Sequence, residues 1–346
     1  MKKKLIIFGC FAILLAMGIQ QHLQHRAFMK PVEIENIPVT FQPIETRHFY
    51  NALTDSERRI YYAAVGMLEQ YASGEIVLYY PITARSYYRI ETALRYDSER
   101  HWHLALLWPF DNNFELVSPP SEQRNPEAII YRLLLIVDTE VFRREVSVAP
   151  EPLPEDWEES LEELYRDVLA DMVHFSEITD ISFYDVINEQ LENIIEKIIN
   201  NMPEDLNQEE AILYFMQWMV DNMVYDSVMD RIFSSGGSFF DDINRHLDSS
   251  SILSLIEGEG VCAGFSTVLN TLARRVGIDT YMVIGTVPGG RHTWNVVKIG
   301  DGIFYIEPTS DIQRQRVRPL MTREQFYVIH STHRPFSDLF EYLWVR

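Results

Sequence analysis

Gly258-Glu259-Gly260-Val261-Cys262-Ala263-Gly264-Phe265-Ser266 is the stretch that decides how this chain folds. A glycine-rich turn runs into a cysteine, and the cysteine opens an apolar-periodic segment. Phe265, Val268, Leu269, Leu272, Ala273 and Val276 recur at helical spacing and Gly277 ends the run, so the pattern predicts a helix that begins at the thiol. A thiol in the first turn of a helix lies beside backbone N–H groups without intrahelical partners and at the positive end of the dipole, and both lower its pKa. The only other cysteine, Cys10, sits in an apolar leader. The folded part therefore carries a single thiol, with no internal disulfide and no cysteine-based zinc site.

Downstream of this helix the period changes from helical to alternating. An apolar run at 281–286 leads to a turn at 287–290. Arg291-His292-Thr293-Trp294-Asn295-Val296-Val297-Lys298-Ile299 reads as a strand, Gly300-Asp301-Gly302 as a turn, and 303–309 as the returning strand. Pairing about that turn sets His292 roughly opposite residue 309, which leaves Glu307 within side-chain reach across the hairpin. If the Cys262 helix packs on this sheet, thiol, imidazole and carboxylate converge. The imidazole can then take the thiol proton while the carboxylate fixes its tautomer. The candidate catalytic residues are thus Cys262, His292 and Glu307.

Working back toward the N-terminus, helical stripes at 183–200 and 207–222 precede a looser stretch at 227–257 that is expected to hold short helical pieces. A further acidic amphipathic helix is expected at 157–175. Pro150, Pro152 and Pro154 mark a boundary. Ahead of them, Thr54-Asp55-Ser56-Glu57 forms a capping box that opens a helix to about residue 72. A shorter helix follows near 85–95, then strands at 101–108, 114–117, 129–138 and 140–148. The fold class expected is α+β. The expected organisation is a leader and tether at 1–28, an N-terminal α+β unit at 29–150, and a C-terminal domain at 151–346 with its core at 205–311.

Three lysines at positions 2–4 followed by an apolar run from Leu5 to Ile19 have the form of an export signal. The run is about fifteen residues, short for a spanning helix. Ala16-Met17-Gly18 offers a cleavage site, and without cleavage the segment would remain as an anchor contacting the membrane. Both readings place the folded part outside the cytoplasmic membrane, secreted or anchored. The net charge of −21 repels phosphate backbones and excludes nucleic acid as a natural partner. No His-Glu-x-x-His or comparable ligand cluster exists, so neither a metal nor another cofactor is expected.

Gly260-Val261-Cys262, His292-Thr293-Trp294-Asn295 and Glu307-Pro308-Thr309 together resemble the transglutaminase-like superfamily, whose pattern is Gly-Val-Cys at a helix start, His-x-Trp-Asn on a strand and Asp-Pro-Thr on the next. The order and spacing match through about residue 311. The lead-in ending Asn222-Met223-Val224-Tyr225-Asp226 is similar to that of exported bacterial (Firmicute-type) members with an α+β unit ahead of the domain. One position departs from the pattern, since Glu307 stands where the family has Asp, and Asp311, four residues further on, is the alternative carboxylate. The resemblance implies a papain-like thiol fold, a thioester intermediate and a peptide or protein substrate, resolved by water or by an amine. It further implies an oxyanion held by the Cys262 backbone N–H and a second donor, for which Tyr225 is a candidate, with Trp294 walling the pocket. The alternative function is a catalytically silent envelope protein that keeps the fold for binding or assembly.

Overall fold

The computed structural model describes residues 32–44, 47–69, 74–97, 105–107, 129–136, 182–234, 245, 248–288 and 290–335. The leader and the expected elements at 114–117, 140–148 and 157–175 lie outside them. Among the described residues no helix is long and apolar enough to cross a membrane.

The N-terminal part begins with α1 (His48–Asn51) and α2 (Asp55–Glu69). The Thr54 capping box forms as the residues dictate: the Thr54 N–H donates to the Glu57 carboxylate at 2.7 Å and the Glu57 N–H donates to the Thr54 hydroxyl at 3.4 Å. Then come β1 (Gly74–Thr83), α3 (Ala84–Tyr96), β2 (Ala105–Leu107) and β3 (Ile129–Ile136), the strands making an antiparallel sheet in the order β1-β3-β2. The strand at 74–83 is not among the sequence expectations. Its run of branched and aromatic residues has the composition of a strand, and Pro81 falls in the register irregularity between Val77 and Ile82 on an edge strand, where a missing N–H is tolerated.

The C-terminal part opens with α4 (Ser182–Asn200) and α5 (Gln208–Asn222), the latter started by an Asn207–Glu210 capping box. Next are β4 (Val224–Tyr225), α6 (Ser227–Ser234), α7 (Ser254–Glu257) and β5 (Glu259–Gly260). The thiol-bearing helix α8 (Cys262–Arg275) leads into β6 (Asp279–Val287), β7 (Gly290–Ile299) and β8 (Gly302–Ile306). The described chain ends with α9 (Pro308–Gln313), α10 (Arg323–Ile329) and β9 (Arg334–Pro335). The molecule is thus α+β.

The antiparallel sheet β8-β7-β6-β9 is covered on both faces. Alternation along β7 and β8 sorts the side chains. Trp294, Val296 and Tyr305 join a core with Phe49 of α1, Tyr61 of α2, Tyr87 and Leu94 of α3, and Phe326 of α10. Val297, Ile299, Phe304 and Ile306 join a second core with α4, α5 and α8. The helices at 48–96 therefore complete one face of the same sheet that carries the hairpin.

Phe265 anchors α8 in the second core, has no exposed surface, and lies against the Gly260 turn. Phe265→Ala is expected to destabilise the protein by about 3–5 kcal/mol, read as a lowered denaturant midpoint. An unchanged midpoint would show that the thiol turn does not depend on this packing.

Candidate active site

Cys262 is the first residue of α8. Val261 before it is extended (φ −107, ψ −178) and supplies no side-chain cap, so the N-terminal N–H groups beside the thiol are left uncapped by that residue. Three contacts fix the turn. The Val261 N–H donates to the Ser249 carbonyl at 2.8 Å. Gly264 lies so close to that segment that an added Cβ would meet the Ser249 carbonyl oxygen at 2.2 Å, which is why glycine stands there. Arg245 clamps Asp226 at 2.8 Å and Glu259 at 2.7 Å, across the short parallel pair in which Tyr225 stands opposite Gly260.

His292 enters from β7, and the motif around it has structural work as well. The Asn295 amide donates to the Ser266 carbonyl at 2.9 Å, which ties β7 to the second turn of α8. Trp294 is fully buried, stacked on His292 with ring centroids 6.3 Å apart and on Phe326 at 5.9 Å. It forms a floor beneath the imidazole rather than an exposed wall.

The β7–β8 register, Asn295 with Ile306 and Ile299 with Gly302, sets position 292 level with 309, as the turn at 300–302 implies. The chain, however, leaves the strand at Glu307 because Pro308 starts α9. Glu307 is the N-cap of that helix: one carboxylate oxygen accepts the Ser310 N–H, and the other lies 2.9 Å from His292 Nε2. This capping role orients a glutamate where the family has an aspartate. Asp311, the alternative carboxylate, is turned to Arg318, whose Nε and backbone N–H both donate to it. Arg318 also donates to His330 Nε2 at 2.9 Å. Among the described residues the carboxylate partner of His292 is Glu307.

Glu307 Oε1 lies against Nε2, and the same imidazole acts on the Cys262 thiol. Burial alone would push the half-buried Cys262 thiol up. The charge and hydrogen bond of His292 outweigh burial and hold the thiol below its ordinary range. Burial alone would likewise lower His292, yet the sulfur's charge and hydrogen bond and then Glu307 push it up to about 10. Burial would raise Glu307, but its bond to His292 holds it below the ordinary carboxylate range. All three shifts favour a thiolate, an imidazolium and a carboxylate in line. Tyr225 stands beside the thiol turn with its ring 6.2 Å from Phe265, and its phenol is raised by burial and then by the charge of Cys262.

Two residues of this neighbourhood have no sequence signal. His330 and His333 lie beyond the hairpin, and His333 turns its ring edge toward His292 at 5.0 Å and Trp294 at 5.1 Å. Burial, followed by the charge of His292, lowers His333 to about 4.

A thiol at a helix start, facing an imidazole and a carboxylate on an antiparallel hairpin, is the architecture of the papain-like thiol fold. Residues 193–308 match the model of the transglutaminase-like superfamily, and this segment is a domain of that superfamily. Comparison with curated proteins gives no match. Among solved structures, the chain is similar to one described as a TGase, at 18% identity over 52% of this chain and 41% of that one, with a TM-score of 0.31. It is also similar to a candidate cysteine protease from Cytophaga hutchinsonii, at 20% identity over 35% of this chain and 38% of that one, with a TM-score of 0.25. The chain thus spans less than half the length of either structure.

Proposed function

We propose that this protein is an exported cysteine-dependent hydrolase or acyltransferase acting on peptide-like amide bonds through a thioester at Cys262. The observation that carries this reading is the 2.9 Å contact of His292 Nε2 with Glu307, on the ring whose charge lowers the Cys262 thiol. The thiolate attacks the amide carbonyl, and the Cys262 backbone N–H with the Tyr225 hydroxyl steadies the oxyanion. His292 gives its proton to the departing amine, which leaves the acyl group on sulfur. Water or an acceptor amine, deprotonated by the now neutral His292, then attacks the thioester, and the thiolate–imidazolium pair is restored. The basic and apolar N-terminal leader supports export, and the acidic surface suits an envelope or extracellular setting.

The test is acylation of the full chain with p-nitrophenyl acetate, read by intact mass and peptide mapping. One acetyl group on Cys262 is expected in the protein and none in Cys262→Ala. Nitrophenol release no faster than in Cys262→Ala, with no acetyl group on Cys262, would sink the thioester reading in favour of a non-catalytic binding role. Fusion of alkaline phosphatase to the C-terminus tests export: activity in intact bacteria is expected, and its absence would return the protein to the cytoplasm.

A further inference from the structure

After the hairpin the chain returns to the edge of the sheet that carries the imidazole. β9 pairs antiparallel with β6, Gly285 opposite Pro335 and Thr286 opposite Arg334, and Gly285 is also the β6 partner of His292 on β7. The approach depends on the glycine, since a Cβ at 285 would meet the Arg334 carbonyl oxygen at 2.2 Å. It delivers His333, the residue just before β9, onto the catalytic edge. His333 is only 7% exposed, and among the described residues neither of its ring nitrogens has a hydrogen-bond partner. A buried imidazole that pairs with nothing calls for a ligand, because a polar group taken out of water is ordinarily satisfied.

What it faces supplies the answer. One ligand atom each from His292, Glu307 and His333 lies within 4.8 Å of the others. Two imidazoles and a glutamate make the His₂Glu donor set of open zinc sites, and tetrahedral bonds of about 2.0–2.2 Å would draw those atoms to about 3.4 Å apart. Nitrogen-rich donors favour zinc over magnesium or calcium, which take oxygen. We propose that His292, Glu307 and His333 form a reversible inhibitory site for a divalent cation of the zinc class.

The inhibitory consequence follows from where the cation sits. It takes the lone pair of His292 Nε2, displacing to solvent the proton that this nitrogen shares with Glu307. The ring then keeps one proton, on its other nitrogen. It has no site for a second, and surrendering the last would leave an imidazolate. The imidazole can no longer cycle between base and acid. This consequence rests on the acyl-transfer role given to His292, whereas binding of the cation does not.

The two are therefore measured separately on the metal-free full chain. Equilibrium dialysis against zinc chloride with elemental analysis reads binding, and acetylation of Cys262 reads function. One zinc per chain is expected, with affinity weakened by at least about tenfold in His333→Phe and nearly retained in Cys262→Ser. Acetylation should fall with zinc occupancy in the unsubstituted protein and require correspondingly more zinc in His333→Phe. His333→Asn, a polar residue of smaller volume, repeats the comparison should the phenylalanine disturb folding. Equal zinc binding with and without His333 overturns the site, and so does binding that disappears in Cys262→Ser, which would assign the cation to the thiol. Should Cys262 neither acetylate nor release p-nitrophenol even without zinc, the catalytic reading falls while dialysis still decides the site.

Discussion

His292→Ala is expected to slow alkylation of Cys262 by iodoacetamide at pH 6.5 by about ten- to a hundredfold. A free thiol with a pKa near 8.5 is only about 1% thiolate at that pH. The intact protein holds Cys262 below its ordinary value through the charge and hydrogen bond of His292 acting against burial. Part of the gain in thiolate fraction is offset because a less basic thiolate is a weaker nucleophile, hence the range. The shapes of the pH profiles should differ as well. In the intact protein alkylation should already be high below neutrality and stay so until His292 deprotonates near 10. In the variant the rate should climb through the range of an ordinary or buried thiol. Superimposable profiles would show that the helix terminus alone sets the reactivity of Cys262, and the thiolate–imidazolium pair would have to be abandoned.

The elements that carry Cys262 and His292 were legible in the sequence because their determinants are local. The helix start at Cys262 follows from a glycine turn meeting an apolar 3.6-residue period, and the level of His292 follows from a tight turn that fixes the hairpin register. Neither needs information from outside 258–309. The exact seat of Glu307 does. Counting along a hairpin treats it as the last strand residue, whereas Pro308 ends the strand and makes Glu307 a helix cap whose second oxygen binds the Ser310 N–H. The choice between Glu307 and Asp311 likewise turned on Arg318, a residue with no motif around it. His333 was illegible for a different reason. It reaches the site only because β9 adds to the far edge of β6, a pairing of positions about fifty apart with no turn to announce it. The strand at 74–83 hid behind a similar problem, since its partner β3 lies more than forty residues on and its own run contains a proline.

The carboxylate provides the second large effect. Glu307→Gln is expected to slow acylation of Cys262 by about a hundredfold, well short of the roughly 10⁴ seen when a serine-enzyme triad loses its aspartate. The difference has a physical origin. In a serine triad the carboxylate steadies an imidazolium that appears only on the way to the transition state. Here His292 is pushed up to about 10, chiefly by the sulfur against burial, which favours a proton on the ring before substrate arrives, and Glu307 comes after the sulfur among the groups that raise it. Removing the charge should therefore lower the His292 pKa and loosen the ring without abolishing the pair. Stability should suffer in parallel, because the His292 and Glu307 side chains are only 13% and 2% exposed and the partner left behind is a buried cation. Glu307→Ala is expected to cost about 3–5 kcal/mol. The sign fixes where this should be seen. Glu307 is depressed below its ordinary 4.5, so its contribution is present above that value and lost as pH falls through its folded pKa. His292 is raised above its ordinary 6.5, so its contribution is complete below that value and lost as pH rises through about 10. The deficit of Glu307→Ala against the intact protein should accordingly be widest between about 4.5 and 6.5 and shrink on both sides, as measured by denaturant unfolding across pH. Asp311→Asn separates this from a general loss of carboxylate near the sheet. It should weaken the fold through Arg318 while leaving the alkylation profile of Cys262 in place, and a profile shifted as far as that of Glu307→Gln would move the orienting role to Asp311.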